Sequence, residues 1–293
     1  MAKRLFCFSI YSRLGVIDDY VLYYIKELTK CGDIILCADN NNYDESLERI
    51  KKEIPKGIKA MLAFKHGEYD FGSYKYCIKK AQELGIDKDY DYLYLCNDSV
   101  IGPLTDLKTI LDNLEEGNPE VVSMYEYLRE SLSGPQSWFV GFHKSRHKEI
   151  IKFLMNVTKE DHKDDVVLKY EHGLGKVVKD WTYKALVSID GLNNFFEPKE
   201  FFEEYPDYPF LKKRALCYVG SEHETYKFIN KVVKDKELAQ SIISILPSIA
   251  EHEKSLKPKY RGVAITRLTS KKFTIQFVIP PVDPKKKKEQ QYF

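Results

Sequence analysis

The chain has 293 residues, room for one large α/β domain or for a catalytic domain with a smaller appendage. Its 43% hydrophobic and 31% charged residues are ordinary for a soluble globular protein, and a formal charge of +2 excludes the global field of a dedicated nucleic-acid binder. No apolar stretch approaches the roughly 20 residues that a membrane span needs.

Behind the basic Lys3-Arg4 lies only the short apolar run Leu5–Ile10, which reads as a first strand and not as a signal peptide. It suits a strand covered on both faces. Ile17, Val21, Leu22, Ile25 and Leu28 then recur at helical spacing, with Asp18 and Asp19 where a helix dipole favours acids. Residues 33–38 predict a second strand. Leu47, Ile50 and Ile54 predict a helix stopped by Pro55, and residues 60–64 a third strand. Tyr74, Ile78, Ala81 and Leu84 mark the next helix, and residues 92–96 the fourth strand. Leu104 to Leu114 is again helical. Strands alternating with helices imply a mainly parallel sheet with right-handed crossovers, whose ligands sit beyond the carboxyl ends of the strands. Loops beginning at Tyr11, Asp39, Lys65 and Asn97 are therefore expected to converge.

Further strands are expected at 121–125, 138–142 and 185–189, and helices around 148–157 and 171–181. Past Asn193 an aromatic segment leads to Lys212-Lys213-Arg214, then to helices over 225–253. A β-hairpin is expected over 262–279, before a Pro- and Lys-rich end. The expected division is a catalytic domain over 1–200 and a C-terminal helical and β-hairpin extension over 201–293. Six cysteines (7, 31, 37, 77, 96 and 217) form no CxxC pair, as buried free thiols of a reducing cytoplasm would not. The 21 Tyr and 16 Phe can stack on bases and sugars, although core packing is their commoner use.

Three segments carry chemistry. Gly67-Glu68-Tyr69-Asp70-Phe71-Gly72-Ser73-Tyr74-Lys75 hands the third strand to a helix. There the glycines permit close backbone approach, and the helix start offers N–H groups to a diphosphate. Asp70 suits a nucleobase or ribose; the bland alternative makes Asp70 or Ser73 a helix cap. In the second segment, Asn97-Asp98-Ser99 ends the fourth strand with an acid at the ligand edge. That acid suits Mg²⁺ or Mn²⁺ bridging two phosphates, or sugar hydroxyls directly; the alternative is an Asx-turn before Gly102-Pro103. The third, Tyr170-Glu171-His172-Gly173-Leu174, opens a helix. Glu171 there is either a general base for an attacking sugar hydroxyl or a complement to the helix dipole.

In order, Glu68-Tyr69-Asp70-Phe71-Gly72, Asn97-Asp98-Ser99-Val100-Ile101-Gly102-Pro103, Ser137-Trp138-Phe139-Val140-Gly141-Phe142 and Tyr170-Glu171-His172-Gly173-Leu174 resemble the motifs of the rhamnan synthesis protein F family. Asp18–Tyr24 and Pro209–Lys213 also look like family segments, so the likeness covers roughly residues 4 to 215. Glu68 stands where the family pattern has glycine. The resemblance implies a GT-A-like, Rossmann-related fold. It also implies an inverting glycosyltransferase moving L-rhamnose or another deoxysugar from a nucleoside-diphosphate donor to a capsule, O-antigen or wall glycan. Asp70 would then contact the nucleotide, Asp98 the diphosphate, a metal or the donor sugar, and Glu171 would be the base.

Donor contacts are further expected from Tyr11, Gly72, Ser73, Lys75, Asn97 and Ser99, and acceptor or pocket contacts from Arg129, Trp138, Phe139 and His172. His66 and His143 are weaker candidates. Lys212-Lys213-Arg214 and the lysines at 285–288 are either solvated charge or a hold on an anionic membrane carrying a lipid-linked acceptor. That places the protein in the cytoplasm, at most peripheral to the membrane. Two other functions fit: a sugar-phosphate transferase, and a non-catalytic glycan- or nucleotide-binding subunit of a synthesis complex.

Overall fold

A computed structural model of the chain describes residues 2–12, 15–128, 134–189, 197–256, 266–270 and 273–277. It divides into two compact units, Met1–Ser244 and Ile245–Phe293.

The first unit is built on an eight-stranded mixed sheet. Strands β1 (Arg4–Ile10), β2 (Asp33–Ala38), β3 (Ile58–Ala63) and β4 (Tyr92–Asn97) run parallel in the order 3-2-1-4. That is the order of one half of a Rossmann-type sheet, in which the chain reverses its direction of travel between β1 and β4. The short β5 (Val100–Ile101) lies outside this sheet. β8 (Phe139–His143) joins β4 antiparallel, and β6 (Val121–Tyr127) joins β8 antiparallel. β7 (Gly134–Pro135) and β9 (Tyr183–Ile189) both pair with β6, β9 in parallel. A mostly parallel central sheet flanked by helices is thus observed.

β1 is buried along its whole length because helices cover both faces. On one face Leu5, Cys7, Leu93 and Leu95 meet α3 (Tyr69–Glu83), α5 (His147–Met155) and the helical run 163–178. On the other, Phe8 packs edge-on against Tyr24 of α1 (Asp19–Thr29), and Phe6 stacks on Tyr94 at 5.1 Å between centroids. α2 (Asp44–Glu53) connects β2 to β3, and α4 (Leu107–Leu114) is capped by Asp106, which accepts from the Lys108 and Thr109 amides. Tyr20, Tyr24, Tyr74, Tyr92 and Tyr94 are fully buried. Five of the six cysteines are buried free thiols, and Cys217 is exposed.

The helix expected from residue 171 begins earlier. α6 (Lys163–Val166) runs through a π-helical turn, Val167–Glu171, into α7 (His172–Val178). Its buried residues Val166, Tyr170, Leu174 and Val178 recur every fourth position. A 3.6-residue period would rotate such a series off the core, and the wider π turn restores it. Glu171 is therefore inside a helical run, and not in a first turn where the dipole alone would explain an acid.

Beyond residue 197, helices Pro198–Glu204 and Glu222–Val232 flank a two-residue strand, β10 (Leu211–Lys212), that pairs antiparallel with β5. A helix covers Lys236–Leu256. In the second unit β11 (Thr266–Ser270) and β12 (Phe273–Phe277) form an antiparallel hairpin.

Candidate functional site

The loops at the carboxyl ends of the four parallel strands are laced together. After β2, Asp39 Oδ1 accepts from the amides of His66 and Gly67, both at 2.9 Å, and so shapes the β3–α3 loop. Asn40 Nδ2 donates to the Ser12 carbonyl after β1 at 2.8 Å. Between β1 and β4, the Tyr11 amide donates to Asp98 Oδ2 at 3.2 Å.

The acid at residue 98 owes its availability to its neighbour. Asn97 Oδ1 accepts from the Ser99 amide (3.1 Å) and the Ser99 hydroxyl (2.6 Å), so it is Asn97 that builds the Asx-turn. Asp98 is left partly exposed at the point where the strand order turns. Burial pushes its carboxyl up to about 7, against the pull of Lys213 and with the repulsion of Asp70 and Asp18.

Asp70, in the first turn of α3, spans the same two strands. Its Oδ1 accepts from Ser9 Oγ of β1 at 3.1 Å, and its Oδ2 from Asn97 Nδ2 of β4 at 2.9 Å. Beside it Tyr69 is exposed and holds a left-handed φ of 56°, a conformation uncommon for a bulky residue. Nothing in the pattern of the Glu68–Gly72 motif singles out Tyr69 from its neighbours.

Glu171 reaches this edge through β7 and the segment before β8. A Cβ on Gly134 would lie 2.8 Å from Gly175 Cα, so two glycines let α7 settle on β7. Ser137 Oγ then donates to Glu171 Oε1 at 3.2 Å, while the Ser137 carbonyl accepts from the buried Tyr74 hydroxyl at 3.0 Å. Burial raises the Tyr74 phenol far above its ordinary range, and the charges of Asp70 and Glu171 add to that. Asp70 and Glu171 thus flank one buried phenol. Asp70 bonds Asn97 and Glu171 bonds Ser137, and the Tyr74 hydroxyl, one turn along α3 from Asp70, reaches the Ser137 carbonyl.

Tyr11 is exposed at this edge, with Lys65 Nζ 5.3 Å from its ring centroid. Trp138 is buried beneath Lys212, whose Nζ lies 4.5 Å from the indole centroid, and His172 is half-buried at the start of α7. Other expected residues serve the fold. Ser73 is fully buried and shares a 3.0 Å hydrogen bond with His66 Nε2. Gly72 is required by packing, since a Cβ there would meet Glu68 Cβ at 2.3 Å and the His66 ring at 2.8 Å. Lys75 is buried, paired with Glu68, and donates to the Val157 carbonyl at 2.9 Å, so its charge is met inside the protein. Phe139 is buried among Phe6, Tyr94 and Phe210. His66 is buried enough that its pKa falls, and its Nδ1 accepts from the Glu68 amide, the bonding of a neutral ring. His143 caps a short turn by accepting from the Ser145 amide. Arg129 lies outside the described residues, as do the lysines at 285–288.

The basic run after β10 is not solvated charge throughout. Lys212 is buried, and its Nζ is 3.4 Å from Ser99 Oγ. Lys213 Nζ donates to the Tyr20 hydroxyl at 3.1 Å, and that hydroxyl donates to the Asp98 carbonyl at 3.0 Å. Among the described residues no three His, Cys, Asp or Glu side chains gather as a metal cage, and no helix is long and apolar enough to cross a membrane.

Neither a scan against protein-family models nor a search of curated proteins finds a match. Among solved structures, the chain is similar to HddC from Yersinia pseudotuberculosis, with 12% identity and a TM-score of 0.38 over 64% of this chain and 91% of that one. It is also similar to a nucleoside-diphosphate-sugar pyrophosphorylase from Vibrio cholerae RC9, with 10% identity and a TM-score of 0.39 over 64% of this chain and 92% of that one.

Proposed function

We propose that the chain is a GT-A-like glycosyltransferase that moves a sugar from a nucleoside-diphosphate donor to a glycan hydroxyl with inversion. One arrangement supports this most: Asp70 and Asp98 both bridge the ends of β1 and β4 at the strand-order reversal, where sheets of this kind bind nucleotides, and Glu171 bonds Ser137, whose carbonyl takes the hydroxyl of Tyr74 on the helix that carries Asp70.

In this reading the donor lies across the carboxyl ends of β1 and β4. Its uracil or thymine is toward Asp70 and the exposed rings of Tyr11 and Tyr69, and its diphosphate toward Asp98. Glu171 takes the proton of the acceptor hydroxyl. The acceptor oxygen bonds to the anomeric carbon as the bond from that carbon to the phosphate oxygen breaks, and the nucleoside diphosphate leaves with the electron pair. The donor set at Asp98, one carboxylate with phosphate oxygens to complete the shell, fits Mg²⁺ or Mn²⁺. Such an ion supplies charge neutralisation of the leaving diphosphate when bound.

The resemblance to the rhamnan synthesis F family extends the proposal to L-rhamnose or another deoxysugar as cargo. It likewise extends it to a surface-polysaccharide acceptor, lipid-linked at the inner face of the cytoplasmic membrane. The test is incubation with a panel of nucleotide-sugars. A glycosyltransferase slowly releases free nucleoside diphosphate from its own donor even without acceptor, whereas a sugar-phosphate transferase releases the monophosphate. A binding subunit releases neither.

A further inference from the structure

Strand β10 brings two lysines to the carboxyl end of β4, flanking the Asn97-Asp98-Ser99 turn. The β10–β5 pairing (Lys212 opposite Val100) and the bond from the Lys213 amide to the Ser99 carbonyl at 3.1 Å lock them there. The Leu104 amide adds a bond to the Pro209 carbonyl at 2.8 Å. A segment more than a hundred residues downstream in sequence therefore completes the rim of the site.

The two lysines are held differently. Lys212 is buried over the Trp138 indole and beside Ser99 Oγ. Lys213 keeps part of its side chain in solvent, with its Nζ above the Tyr20 ring (5.3 Å to the centroid) and bonded to the Tyr20 hydroxyl. An ammonium has three N–H donors. Tyr20 accepts one, and the nearest carboxylate oxygen of Asp18, at 4.0 Å, is too far to accept another. The Tyr20 hydroxyl, donating in turn to the Asp98 carbonyl, fixes the ammonium next to the turn that carries the acid. Trp138, beneath Lys212, is buried, and its indole N–H has no acceptor among the described residues.

We infer that Lys213 is the built-in counter-cation of the donor's diphosphate, its ammonium donating to phosphate oxygens beside Asp98, with Lys212 positioning the turn from beneath. This deepens the glycosyltransferase reading and rests on it. A fixed ammonium supplies the charge a divalent ion would otherwise bring, so diphosphate binding does not require metal. As the nucleoside diphosphate departs, the same ammonium offsets the charge that develops on its leaving oxygen.

The experiment is calorimetric titration of the full chain with uridine diphosphate, thymidine diphosphate, the parent nucleosides and inorganic pyrophosphate, in EDTA and in Mg²⁺. Wild type is expected to bind one nucleoside diphosphate and pyrophosphate in EDTA. Lys213→Gln, which can still bond Tyr20, is expected to weaken both by about tenfold or more, in line with loss of a charge-assisted bond, while nucleoside binding stays unchanged. Lys213→Arg should restore most of the affinity. Melting temperatures of the variants report whether the fold is kept. Nucleoside diphosphate binding that ignores Lys213→Gln, or that needs Mg²⁺ in the wild type, overturns the inference and leaves the donor site standing. Failure of the wild type to bind any of the phosphates overturns both.

Discussion

Asp98 Oδ2 accepts the Tyr11 amide at 3.2 Å, which ties the end of β4 to the end of β1 where the order of the sheet turns about. Burial holds the Asp98 carboxyl near 7, above its ordinary 3.8. Between those values the folded chain keeps a proton that the unfolded chain has released. Asp98 therefore lowers stability as pH rises through that window, with the full cost present above it. Asp98→Asn removes the cost. In EDTA, thermal unfolding should show the variant gaining on wild type between pH 5 and pH 8 by about 1–2 kcal/mol, a reduced figure because the side chain keeps some solvent. Parallel pH profiles would contradict this.

Asp70 gathers a hydroxyl from β1 and an amide from β4. Asp70→Ala strands both donors, and denaturant unfolding is expected to register a loss of about 1–3 kcal/mol. Nucleotide-donor affinity should fall by about tenfold or more, which titration of the folded variant would measure.

At the opposite end of β1, Arg4 is buried against Glu115, with bonds of 2.6 and 2.7 Å, and reaches Asp112. Arg4→Met leaves Glu115 charged and buried, so urea unfolding should show a cost of about 3–5 kcal/mol. Donor affinity at the far edge of the sheet should not change.

Gly72→Ala puts a methyl into Glu68 and the His66 ring. Overpacking of this kind costs about 1–3 kcal/mol, readable as a lowered melting temperature. A variant as stable as wild type would mean that the β3–α3 loop yields freely.

The sequence made the inner strands legible because β1, β2 and β4 are covered on both faces and so read as unbroken apolar runs. The convergence of the four loops followed from parallel topology alone. Within the site, Asp70, Asp98 and Glu171 stood out as acids at element boundaries. What sequence periodicity did not show is the division of labour among neighbours: Asn97, not Asp98, makes the turn, and Lys75 is consumed by Glu68. Nor did it place the helix from Lys163, because a π turn over Val167–Glu171 breaks the 3.6-residue pattern. Lys212 was hidden for another reason. A two-residue strand has no period, and it is pairing with Val100 and contacts with Trp138 and Ser99 that bury its ammonium.

If Glu171 takes a proton at the edge where Asp70 and Asp98 hold a nucleotide-sugar, its loss must slow transfer and leave donor binding intact. Donor affinity and donor turnover are compared for wild type and Glu171→Gln, using whichever nucleotide-sugar the wild type consumes. The amide keeps the size of the side chain and the bond from Ser137 while removing the base. Affinity is expected within about threefold of wild type, and transfer slower by about 10²–10⁴-fold. Transfer at the wild-type rate would contradict it.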